Sequence, residues 1–109
     1  MHTFLAPSGA PQNLRINFTD DTTIAIEWEP VECRHRNGEI NGYNVTYYHG
    51  TEMNQMTLML PESVHIFTAT GLLFNTTYTF EVAALSQHYG AGPSATAMAT
   101  TLPVRGIDL

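Results

Sequence analysis

Tyr78-Thr79-Phe80-Glu81-Val82-Ala83-Ala84 sets an apolar side chain at every second position, with Thr79, Glu81 and Ala83 between them. Successive side chains of a strand point to opposite faces, so this two-residue period predicts a strand that buries Tyr78, Phe80, Val82 and Ala84. The same period recurs on either side. Tyr43, Val45 and Tyr47 alternate with Asn44 and Thr46. Ile24, Ile26 and Trp28 alternate with Thr23, Ala25 and Glu27, and Leu14, Ile16 and Phe18 with Arg15 and Asn17. Phe67 and Ala69 form a shorter stretch, and residues Ala95 to Thr101 read as the last strand. The β-branched and aromatic side chains that fill these positions suit a pleated, half-buried surface.

Between the stretches stand Asp20-Asp21, Pro30, Asn37-Gly38, His49-Gly50, Pro61, Gly71 and Gly90-Ala91-Gly92-Pro93, residues that favour turns. Their spacing fits an all-β sandwich of six or seven short strands, and no long stretch holds a helical period. The chain has 109 residues, the size of one domain with one core. Residues 1–10, with Pro7 and Pro11 bracketing a small-residue run, read as an N-terminal linker, and 104–109 as a C-terminal one. Met1 to Ala6 lacks the basic start and long apolar run of a signal peptide, so the chain reads as one module cut from a longer string.

These residues, taken in order, resemble the fibronectin type III family over Pro11 to Pro103. Pro11, Leu14 and Ile16 are similar to the family's first strand, and Trp28 with Pro30 to its second-strand tryptophan and following proline. The run from Asn37 through Gly42-Tyr43-Asn44-Val45 to Tyr47 resembles the opening of its third strand. Leu72, Tyr78, Phe80 and Val82 resemble its leucine and corner-tyrosine signature, and Gly90, Gly92, Pro93 and Ser94 the small-residue turn into the last strand. The resemblance implies a seven-stranded antiparallel immunoglobulin-like β-sandwich with Trp28, Tyr43, Val45, Leu72, Tyr78, Phe80 and Val82 in its core. A corner tyrosine in such sandwiches bonds through its hydroxyl to nearby backbone, and Tyr78 is placed to do so.

The resemblance also implies a non-catalytic spacer and protein-binding module in the ectodomain of a single-pass cell-surface receptor. Repeats of receptor tyrosine phosphatases and neural adhesion receptors are the branch it is most like. The alternatives are a structural module of an intracellular muscle-type array and a spacer in a secreted carbohydrate-active enzyme. The expected partner is a protein ligand or a neighbouring domain, and the isolated module is expected to be monomeric.

Charge narrows the partners further. Ten acidic residues face four arginines, no lysine is present, and the formal charge is −6. Polyphosphates and anionic membrane surfaces would be repelled, so neither nucleic acid nor direct membrane contact is expected. No catalytic, cofactor or metal site is expected either. His2, His35, His49, His65 and His88 are dispersed without metal-ligand spacing, and Gly90-Ala91-Gly92 lacks the further glycine and the helix of a phosphate-binding loop. Arg105-Gly106-Ile107-Asp108 interrupts the integrin-binding tripeptide that it resembles.

Three acceptor sequons occur, at Asn17-Phe18-Thr19, Asn44-Val45-Thr46 and Asn75-Thr76-Thr77, where chance would give about one. In the alternation Asn17 and Asn44 point away from the core and Asn75 lies in the turn before Tyr78, so each can carry a glycan without disturbing the fold. Their number favours a secretory route. Cys33 stands alone, which excludes an internal disulfide. Its neighbours Arg34 and Arg36 favour the thiolate, leaving an inert thiol or an intermolecular disulfide as the two readings. Met53, Met56, Leu58, Met59 and Leu60 make an apolar edge strand whose pliant methionines suit a contact surface, and the loop from Ser86 to Gly90 is a third place for one.

Overall fold

Each alternating stretch becomes a strand because half of its side chains can be buried against a second layer. The computed structural model describes residues 6–32, 39–50, 55–86 and 90–103. Within them run β1 (Gln12–Thr19), β2 (Ile24–Glu29), β3 (Ile40–His49), β4 (Met56–Pro61), β5 (Ile66–Ala69), β6 (Thr77–Ser86) and β7 (Gly90–Thr100). A three-stranded sheet has the order β1-β2-β5, and a four-stranded sheet the order β4-β3-β6-β7. All the pairings are antiparallel. β1 and β7 come together along one flank of the sandwich, while β4 and β5 form the edges of the other.

The core lies between the two sheets. Ile24, Ile26 and Trp28 from β2 meet Tyr43 and Val45 from β3 and Tyr78, Phe80, Val82 and Ala84 from β6, joined by Val31, Ala69 and Leu72. Aromatic packing is extensive at its centre: the rings of Trp28 and Tyr43 meet edge to face at 5.4 Å, and Tyr47 stacks on Phe80 at 5.4 Å. The indole Nε1 of Trp28 is buried and has no partner among the described residues, so this side chain serves the core by volume rather than by a hydrogen bond. Gly42, buried in β3, leaves no room for a side chain, because a Cβ there would stand 2.5 Å from the carbonyl oxygen of Leu60 on the neighbouring β4.

Two expectations drawn from periodicity change. Phe18, read as facing inward with Leu14 and Ile16, is 52% exposed. The β1–β2 register shifts between Ile16 and Phe18, and such a bulge reverses the facing of every residue beyond it. The second change is at β7. It begins at Gly90 rather than at Ala95, absorbing the Gly-Ala-Gly-Pro segment that reads as a turn. Pro93 is tolerated because β7 is the outer strand of its sheet, and a register shift between Ala83 and Leu85 accommodates the extra residues. Pro7, inside the stretch read as a linker, is buried, and its carbonyl lies where a Cβ on residue 92 would have to sit.

Candidate interaction surfaces

The loop between β5 and β6 is built by two hydroxyl groups. The Leu73 N–H donates to the Tyr78 hydroxyl at 2.9 Å, which pins the loop to the start of β6. Thr101, directly after β7, is almost fully buried; its hydroxyl accepts from the Thr76 N–H at 2.9 Å and donates to the Leu73 carbonyl at 2.6 Å. Backbone bonds extend the same network: Asn75 N–H to Leu102 carbonyl, Leu102 N–H to Asp20 carbonyl, and Leu72 N–H to Thr22 carbonyl, each at 3.0 Å. The Asp20 carboxylate meanwhile accepts from the Thr22 N–H and fixes the β1–β2 turn. Sequence reasoning missed Thr101. A threonine at the end of a strand carries no periodic signal that distinguishes a buried hub from an exposed end.

Around this network the pole of the sandwich is apolar at its surface. Leu73, Phe74 and Leu102 are about half exposed, and Asn75 is exposed among them in a left-handed conformation with φ 47°. Asn adopts this conformation more readily than other residues with a Cβ.

The other two sequons lie on the strands. Asn17 is exposed on β1, in the three-stranded sheet, and Asn44 is half-buried on β3, in the four-stranded one. Two of the sequon hydroxyls are engaged across strands, Thr46 with Thr57 at 3.2 Å and Thr77 with Thr100 at 2.7 Å.

β4 is a different kind of surface. Its only strand neighbour among the described residues is β3, with Tyr47 opposite Met56 and Asn44 opposite Met59. Leu58 and Leu60 pack on the core, whereas Met56 and Met59 are exposed. Met-Thr-Leu-Met-Leu-Pro contains no charge, and its only proline is the last residue. Edge strands that are guarded against pairing carry charges, bulges or prolines along their length, and β4 does not. Met56 also lines an open cleft of about 380 Å³ whose other walls include Tyr47, Tyr48, His49, Leu73 and Tyr78.

The remaining candidates separate. Cys33 with Arg34 and Arg36, Met53, and His2, His35 and His88 lie outside the described residues. Of the loop from Ser86 to Gly90, Ser86 is buried and stands opposite Gly90, and the residues between them are outside the described set. His49 and His65 rest against core tyrosines, edge to face with Tyr78 at 5.2 Å and Tyr43 at 5.6 Å. Among the described residues no group of three or more His, Cys, Asp or Glu is placed to hold a metal ion.

The sheet split is diagnostic. Constant-type immunoglobulin sandwiches place the fourth strand beside the fifth, giving four strands against three, whereas here β4 joins β3 and the split is three against four. A family model described as the fibronectin type III domain matches residues 9–100. The chain belongs to the fibronectin type III family. Mouse (Mus musculus) neogenin is 35% identical over 89 residues, 81% of this chain and 6% of neogenin. Receptor-type tyrosine-protein phosphatase F of the rat (Rattus norvegicus) is 35% identical over 103 residues, 94% of this chain and 5% of the phosphatase. Both are cell-surface receptors with fibronectin type III repeats, and this chain spans about one twentieth of their length. In three dimensions the chain is similar to the third fibronectin III domain of the human KIAA0343 protein, with a TM-score of 0.79 at 22% identity, covering 100% of this chain and 94% of that one.

Proposed function

We propose that this fibronectin type III module is a non-catalytic extracellular spacer and protein-binding unit in the ectodomain of a single-pass adhesion or signalling receptor. The observation that carries the reading is the match to receptor repeats over almost the whole chain, at 35% identity across 94% of it. Residues 11–103 form the module, with Pro7 anchoring the segment that leads into it. The sequons support the extracellular side of the reading, because Asn17, Asn44 and Asn75 fall on two sheets and a turn, none of them in the core.

Protein contact is assigned to the β4 edge and the cleft that Met56 shares with it. An extended partner segment pairs with the outer side of β4 by main-chain hydrogen bonds, and an apolar side chain of the partner enters the aromatic cleft. This is a strand-addition mode, in which the backbone supplies affinity and the cleft selectivity.

The test is secretion of the chain from a glycosylating cell behind an added leader, followed by glycopeptide mass analysis. At least two occupied sequons are expected. Efficient secretion with every sequon bare would overturn the extracellular reading and favour an intracellular array.

A further inference from the structure

Single exposed leucines and phenylalanines are ordinary on a protein surface, but three brought together by one hydrogen-bond network form a patch that calls for a cover. Leu73 is 54%, Phe74 45% and Leu102 48% exposed. The backbone that presents them is held on all sides: the Leu73 carbonyl takes the Thr101 hydroxyl, the Phe74 carbonyl takes the Thr76 hydroxyl at 2.7 Å, and the Asn75 N–H bonds the Leu102 carbonyl. Next to Phe74, the exposed Asn75 has no side-chain hydrogen bond among the described residues, and it heads the sequon Asn75-Thr76-Thr77.

We propose that Asn75 carries an N-linked glycan whose first sugars lie against Phe74 and Leu102, so that this part of the pole, beyond the cleft wall at Leu73, is shielded by carbohydrate and closed to protein contact. The inference rests on the extracellular reading above. The occupant is argued from its attachment point: a glycan rooted between Phe74 and Leu102 is held over the patch at high effective concentration, and the apolar faces of pyranose rings stack on aromatic and aliphatic side chains. Chemically, the Asn75 amide nitrogen forms a bond to the anomeric carbon of a lipid-pyrophosphate-linked oligosaccharide. The carbon–oxygen bond to the pyrophosphate breaks, the lipid pyrophosphate leaves with the electron pair, and the amide proton passes to a base of the transferase. In the folded chain the Thr77 hydroxyl of the sequon is bonded to the Thr100 hydroxyl on β7.

The experiment compares the secreted wild-type chain with Asn75→Gly made in the same cells. Glycine accepts the left-handed φ at this position, so the backbone is kept while the acceptor is removed. Glycopeptide mass analysis reads occupancy at each sequon, and hydroxyl-radical footprinting reads the solvent access of individual side chains. Asn75 is expected to be occupied, and Phe74 to be labelled several-fold more slowly in the wild type than in Asn75→Gly, with Ile66 on β5 unchanged. Equal labelling of Phe74 in the two proteins overturns the shield. So does a bare Asn75 alongside occupied Asn17 and Asn44, which leaves the extracellular reading intact and the pole open to a neighbouring domain. Three bare sequons overturn both.

Discussion

The pole carrying Leu73, Phe74 and Leu102 and the β4 edge both expose apolar side chains, yet they are held in opposite ways. At the pole two hydroxyls, from Tyr78 and Thr101, and several backbone bonds hold main-chain groups of Leu73, Asn75, Thr76 and Leu102, so the backbone there is clamped. Along β4 one side of the backbone ladder pairs with β3 and the other has no strand partner among the described residues, and the exposed side chains include methionines with several rotatable bonds. Exposed apolar area alone therefore does not define a binding site. What distinguishes the two is whether backbone donors and acceptors remain to be satisfied and whether the side chains can repack.

Three substitutions test this contrast, in decreasing order of effect. Trp28→Ala removes the largest side chain of the core beneath both surfaces and is expected to cost about 3–5 kcal/mol in chemical denaturation. Near-wild-type stability would mean that neither surface depends on a common core.

Thr101→Val keeps the volume and removes the hydroxyl, leaving the Thr76 N–H and the Leu73 carbonyl without it. A loss of about 1–3 kcal/mol is expected, with faster amide exchange confined to residues 73–76. Uniform exchange across the chain would break the assignment of Thr101 as a local clamp.

Met59→Glu, on the solvent side of β4, should change stability by no more than about 0.5 kcal/mol. It introduces a charge on the edge where a partner strand would pair, so under the proposed function it should weaken binding of the proposed ectodomain to the protein partner proposed for it, measured by surface plasmon resonance. A large stability loss with intact binding would reverse the roles of the two regions.

Much of the architecture was legible in single residues. Trp28, Tyr43, Val45, Tyr78, Phe80 and Val82 announce the core because a two-residue period has one physical consequence, burial of one face. The Tyr78 hydroxyl bonds to nearby backbone, as the family resemblance implies, and the structure shows that the partner is the Leu73 N–H. The candidate surfaces were legible only in part. The sequons and the Met-rich strand could be seen as motifs, but nothing local revealed that Asn75 sits in a clamped apolar patch.

The sequence by itself determined the alternating strands and the faces they bury, since side-chain period and turn chemistry act over a few residues. Tertiary structure alone decided three further matters. β4 lies beside β3 rather than β5, which depends on which sheet edge is open to it. Phe18 faces outward, because a register shift in pairing with β2 overrides the period of β1. Thr101 joins Leu73 and Thr76 across 28 and 25 residues of sequence, a hydrogen-bond hub that exists only once the last strand has closed the sandwich.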